Sequence, residues 1–212
     1  MSAIVPFQAG SSMMVAGPTG AGKTWWVNRL LSNDMFTEPV ESVLYCYGVH
    51  QDYFNYMTIP NVEFYAGLPN SDKVRQLYDG KFHVIVLDDL MEQVVKSIDA
   101  QNLFTKQCHH YKITAVFLTQ NIFAQGPCAR NINLNIHILV LFANKRDEQQ
   151  SHILGRQLYP GSLRVFIEAY EDATFEPYGY LVVDCSPQSP RELKLRSKIF
   201  PGDETVCYIS KF

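Results

Sequence analysis

Residues 17–24 read Gly-Pro-Thr-Gly-Ala-Gly-Lys-Thr, with Met-Met-Val-Ala before them and Trp-Trp-Val-Asn-Arg-Leu-Leu after. Gly17 and Gly22 frame four residues and Lys23 and Thr24 follow, which is the spacing of a phosphate-binding P-loop. The flanks suit it. Apolar residues 13–16 predict a short buried strand, and residues 25–31 predict a helix with Val27, Leu30 and Leu31 on one face. The cradle expected from this order comprises Gly17, Pro18, Thr19, Gly20, Ala21, Gly22, Lys23 and Thr24. Its glycines let the backbone curl so that N–H groups converge on phosphate oxygens, and the helix start adds unpaired donors and a positive dipole end. In this reading Lys23 neutralises the outer phosphates and the Thr24 hydroxyl holds Mg2+. A chance Gly-rich turn ahead of Lys-Thr is the bland alternative, and the matching flanks weigh against it.

A second polar point lies at "HVIVLDDL", residues 83–90, where two carboxylates leave a strand apolar enough to be central in a sheet. Asp88 is read as the Mg2+ partner and Asp89 as the general base that orients and deprotonates the attacking water. The competing explanation is an Asp pair capping a helix that starts at Leu90. A third point is Gln120, which ends the apolar run "ITAVFLT". If that strand neighbours the P-loop strand, Gln120 reaches the terminal phosphate and can sense hydrolysis or align water; otherwise Gln120-Asn121 simply starts a loop.

Strand-like runs recur at 13–16, 43–47, 62–65, 84–87, 113–119 and 136–142, and helical patterns at 25–31, 71–78, 90–107 and 147–158 alternate with most of them. This order predicts a three-layer α/β/α sandwich on a mostly parallel sheet. The tail differs, because "VFIEAY", "YGYLVVDC" and "KLRSKIF" read as late strands or hairpins between prolines. With no repeat or linker, residues 1–212 are expected to form one domain, completed by a strand-rich part from about residue 163 onward. Five cysteines without a Cys-x-x-Cys pair argue against a disulfide framework and a zinc ribbon, and point to a reducing compartment. Cys108, His109 and His110 are adjacent in sequence and cannot all face one tetrahedral ion. The apolar runs are strand-length and no signal peptide is evident, so a soluble intracellular protein without a membrane span is expected. A net charge of -3 confines any nucleic-acid contact to a local patch or to an assembly.

"LVLFANKRD" holds Asn144-Lys145-Arg146-Asp147 after a strand, which looks like the guanine reader of GTPases. A GTPase also needs Asp-x-x-Gly after its metal-binding strand, and here Asp89 is followed by Leu90, Met91 and Glu92. A GTP-binding regulatory switch is thus the second reading; a nucleotide kinase is weaker, for want of an Arg-rich lid.

With these residues in place, the chain resembles the FtsK-HerA superfamily of P-loop motor ATPases. The likeness is to the short genome-packaging ATPases of Polinton and Maverick elements, adintoviruses, virophages and poxvirus-like large DNA viruses. It runs through "PFQAGSSMMVAGPTGAGKT", "VLYCYGVHQDYF", "VIVLDDLM", "LFTKQCHHYKITAVFLTQN", "NKRDEQQSHILGRQLYP" and "YGYLVVD". Trp25-Trp26 and Cys108 depart from it, since smaller residues are expected at those places. The resemblance implies the additional-strand, RecA/FtsK-like division of the P-loop fold. It also implies ATP with Mg2+, hydrolysis by Asp89 with Gln120 as sensor, and a homo-oligomeric ring that drives double-stranded DNA into a preformed capsid. The partners it implies are non-specific duplex DNA and viral capsid proteins, at an assembly site in the host cytoplasm or nucleus or within the virion. A ring motor further calls for an arginine from the neighbouring subunit, and the candidates are Arg130 and Arg146.

Overall fold

The computed structural model describes residues 5–209, so both ends of the expected 1–212 domain, residues 1–4 and 210–212, lie outside the described residues. Among the described residues nine strands form one sheet in the order β3-β2-β4-β5-β1-β6-β7-β8-β9. They are β1 (Ser12–Ala16), β2 (Ser42–Tyr47), β3 (Val62–Ala66), β4 (His83–Asp88), β5 (Ile113–Thr119), β6 (Ile138–Phe142), β7 (Tyr180–Asp184), β8 (Leu195–Ser197) and β9 (Val206–Cys207). The first six pair in parallel, whereas β7, β8 and β9 pair antiparallel to their neighbours. Strands β1, β4 and β5 are buried along their whole length, as expected for sheet strands covered on both faces.

Alternation along these strands divides the core in two. Met13, Val15, Val84, Val86 and Val116 point to one face and meet Trp26, Val27 and Leu30 of α1 (Lys23–Ser32), together with Phe7, Phe54 and Phe200. Met14, Ile85, Leu87, Ala115 and Phe117 point to the other face. That face is covered by α2 (Ser71–Gln76), α3 (Met91–Val94), α4 (Ile98–Asn102), a π-helical turn (Leu103–Gln107), α5 (Cys108–His110), α6 (Ala129–Leu134), α7 (Gln149–Leu158) and α8 (Leu163–Ala173). The result is the expected three-layer α/β/α sandwich. Among the described residues no helix is long and apolar enough to cross a membrane.

Two expectations need correction. "VFIEAY" lies in α8 rather than in a strand, because Phe166 and Ala169 are the residues it buries, a spacing of three that belongs to a helix. The expected helix over 90–107 is broken into α3, α4 and the π-helical turn. Ser97 takes a non-helical conformation there, and its hydroxyl accepts from Ala100 N at 3.2 Å, restarting the helix. The remaining expected strands and helices fall within a few residues of those observed, while helix α6 and two-residue β9 were not foreseen.

Candidate active site

The register brings three strand ends together. Ala16 of β1 lies opposite Thr119 of β5, and β5 pairs on its other side with β4, so β5 separates the P-loop strand from the strand that carries Asp88. Just past β1 the chain turns sharply. Gly17 N donates to Thr119 O at 3.1 Å, and a Cβ on Gly17 would sit 2.7 Å from Phe142 Cβ, so only glycine lets the loop leave the sheet this closely. Gly22, with φ of 99°, reverses the backbone into the first turn of α1, a conformation that side chains with a Cβ disfavour.

Lys23 begins α1 and folds back over the loop, its Nζ donating to Gly17 O at 2.6 Å and Pro18 O at 3.0 Å. Burial lowers its pKa, and the carboxylates of Asp88 and Asp89 oppose that shift. Next along the helix, Thr24 Oγ1 lies 3.4 Å from Asp88 Oδ2. The same oxygen accepts from the Tyr45 hydroxyl at 2.8 Å. Asp88 is 6% exposed, and desolvation raises its pKa, with the Tyr45 bond and the Lys23 charge pulling the other way. Tyr45, wholly buried on β2, is raised by burial and by Asp88, and stays a hydroxyl donor. It was missed from sequence, because nothing in an apolar strand pattern marks which tyrosine will face an acid on the neighbouring strand.

Asp89 departs from the sheet at φ of 55°, exposed to the cleft. Asp89 is exposed where Asp88 is buried, so the two acids occupy different settings. Neither caps a helix: Leu90 occupies the N-cap of α3, and no side chain caps it. Gly48 packs beneath, its N–H donating to Asp88 O at 3.0 Å, and a Cβ there would come within 2.2 Å of Asp89 O.

Thr19, Gly20, Lys23, Thr24, Asp88, Asp89 and Gln120 all line one cavity of about 1000 Å3, with Trp25 and Tyr53 on its wall. That volume suits a nucleoside triphosphate. Thr24 Oγ1 and the Asp88 carboxylate supply hard oxygen donors of the kind Mg2+ takes, while its other positions go to water and phosphate. The residues present therefore fit Mg-nucleotide. Arg146 and Lys145 border an adjoining cavity of about 500 Å3 with Thr19 and Gln120. Arg130, exposed on α6, lines neither cavity. In the guanine-reader-like stretch, Asn144 Oδ1 accepts from Arg146 N at 3.2 Å and Asp147 Oδ2 from Gln150 Nε2 at 2.7 Å, so both side chains brace their own loop. His109 and His110 end α5, and no group of three or more metal-ligating side chains occurs among the described residues.

The order of strands, with an extra strand between the P-loop strand and the acid-bearing strand, is that of the additional-strand P-loop NTPase fold. No protein-family model and no curated protein matches the chain. Among solved structures it is similar to the genome packaging NTPase B204 of Sulfolobus turreted icosahedral virus 2 in complex with ATP-gammaS. That match has a TM-score of 0.58 and 12% identity, over 85% of this chain and 95% of that one. B204 described as the DNA-packaging ATPase of Sulfolobus Turreted Icosahedral Virus matches with the same TM-score, identity and coverage. The complex with AMP gives 0.55 and 10%, over 84% and 94%. At these identities the likeness is one of fold.

Proposed function

We propose that this chain, read as one P-loop domain, is the subunit of an ATP-hydrolysing ring motor that drives double-stranded DNA into a preformed viral or transposon capsid. The observation that carries the reading is the convergence of Lys23, Thr24, Asp88, Asp89 and Gln120 on one cavity. Likeness in fold to a genome packaging NTPase supports the choice of motor over switch.

Mg2+, which Thr24 and Asp88 would hold, would neutralise charge on the phosphates. Lys23 and the loop N–H groups hold the outer phosphates and favour the charge that develops during transfer. Thr24 and Asp88 orient the metal side, and Tyr45 fixes the Asp88 rotamer. Asp89, more exposed than Asp88, accepts the proton of the attacking water. Gln120 positions that water and registers loss of the terminal phosphate. An arginine from the next subunit, Arg130 or Arg146, completes the site. Arg146 borders the same subunit's P-loop, so Arg130 has the greater freedom to reach a neighbour.

Steady-state ATP turnover with and without duplex DNA tests the reading. Turnover should rise with DNA of any sequence, and the stimulation should fade steeply with added salt as counterion release demands. Turnover indifferent to DNA at low salt would return the chain to the class of nucleotide switches.

A further inference from the structure

A groove of about 350 Å3 lies on the helical layer away from α1, where α2, α4, the π-helical turn and α5 meet. Arg75, Asn102, Lys106, His110 and Tyr111 line it, and no acidic residue does. In a chain of net charge -3 this lining carries two cations, Arg75 and Lys106, and no carboxylate of its own. Acids stand at its rim, two of them against lining residues: Asp99 against Ser71 and Asp72 against Arg75. Asp99 Oδ1 accepts from Ser71 Oγ at 2.6 Å, Glu63 pairs with Lys73 at 2.7 Å, and Asp72 stands 4.0 Å from Arg75 with both side chains exposed. Lys106 is exposed and forms no ion pair among the described residues. Beside the groove, Tyr78 and Tyr111 lie ring to ring at 4.9 Å, with Tyr78 57% exposed.

The π-helical turn makes this arrangement. Cys108 N donates to Leu103 O, five residues back, which widens the helix and re-phases its faces. Phe104 and Cys108 go into the core, while Lys106 and His110 remain on the outside. The groove also has a direct covalent route to the nucleotide site. Lys106 and His110 sit in the single connection that leaves β4 at Asp89 and returns through β5 to Gln120.

We infer that this groove grips the phosphate backbone of duplex DNA, with Arg75 and Lys106 as the charged contacts and the tyrosine pair packing along the sugar edge. The inference rests on the motor reading, whose DNA-contacting surface it names. Its recognition is by charge and shape, so it reads no sequence.

The test uses the full chain and a fluorescent duplex several helical turns long, with affinity measured by anisotropy across a salt series. Replacing both contacts (Arg75→Ala with Lys106→Ala) should reduce the slope of log affinity against log salt by about 2, and weaken binding about tenfold at low salt. ATP turnover without DNA should remain at the wild-type rate, while its stimulation by duplex disappears. A control, Lys81→Ala with Arg164→Ala, removes equal charge from cations paired to Glu41 and Glu168, and should leave the slope near wild type. Wild-type slope and affinity in the groove variant, or an equal loss in the control, would overturn the inference, as would tighter binding of single-stranded DNA. If the wild type turns over ATP yet binds no duplex, the groove is wrong and the nucleotide site stands. If duplex binding depends on the groove but no ATP is turned over, the groove stands and the nucleotide site is wrong.

Discussion

Asp88 and Asp89 are neighbours in sequence and opposites in setting. At 6% exposure Asp88 meets little water, and burial lifts its pKa despite the hydroxyl of Tyr45 and the charge of Lys23. The folded protein then binds its proton more tightly than the unfolded chain does, so this residue's contribution to stability falls as pH rises from the ordinary carboxylate range through the raised folded value. Wherever it is ionised, the buried carboxylate costs stability, and the proposed Mg2+ role requires it ionised. Asp88→Asn preserves an acceptor for Tyr45 without the charge. It should raise the Tm of the nucleotide-free protein at pH 7 by about 2–4 °C, the shift that about 1 kcal/mol produces in a chain of this size. The same variant should lose most of the Mg2+ dependence of ATP binding. A lowered Tm in calorimetry would show that the carboxylate is a net stabiliser. For exposed Asp89 the expectation differs: Asp89→Asn should keep Mg-ATP binding while turnover falls by about 10^2 to 10^4, the usual contribution of a general base. Normal turnover would place the base elsewhere.

Between elements, the decisive contact is that of the loop after β2 with the end of β4. Gly48 leaves no space for a side chain against Asp89 O, so Gly48→Ala should displace Asp89, the base of the proposed mechanism. A displacement of about 1 Å should lower kcat by about 10^2 with little change in ATP affinity, since the phosphate loop is untouched. Unaltered kcat would mean that the β4 exit is pliable. The importance of Gly48 could not be read from sequence, because it depends on a register between β2 and β4 that one-dimensional patterns do not encode. The P-loop and the Asp88-Asp89 pair were legible because each sits at the end of an unbroken apolar run, and such runs mark buried parallel strands well. Gln120 was legible only conditionally, on β5 lying beside β1, and the pairing of Ser12–Ala16 with residues 115–119 meets that condition. Helix α8 was misjudged because Val165, Phe166 and Ile167 are consecutive and apolar, and β-branched neighbours mimic a strand. The break at Ser97 had a signal, a Ser ahead of Asp99 in N-cap spacing, that the long apolar periodicity of 90–107 concealed.

At the scale of the whole molecule, a net charge of -3 and a groove with local positive charge suit an assembly in which grooves from several subunits act together. If the finger comes from the neighbour, a finger variant (Arg130→Ala or Arg146→Ala) should bind ATP and assemble but not turn it over. Mixing the true finger variant with Lys23→Ala should restore part of the turnover, because some interfaces then combine an intact P-loop with an intact finger. Failure of both arginine variants to be rescued, or full wild-type turnover in dilute monomer, would rule out a shared site. The topology carries one more consequence, which concerns time. Strand β1 precedes every other strand of the sheet, yet its partners β5 and β6 come on the order of 100 residues later. At a ribosomal pace of about 5–20 residues per second, the nascent strand waits about 5–20 s with both edges bare. During that interval the phosphate loop has no Thr119 to hang from and no Asp88 beside it, and nucleotide has nothing to stabilise. The site announced earliest by the sequence thus takes shape only once more than half of the chain has been made.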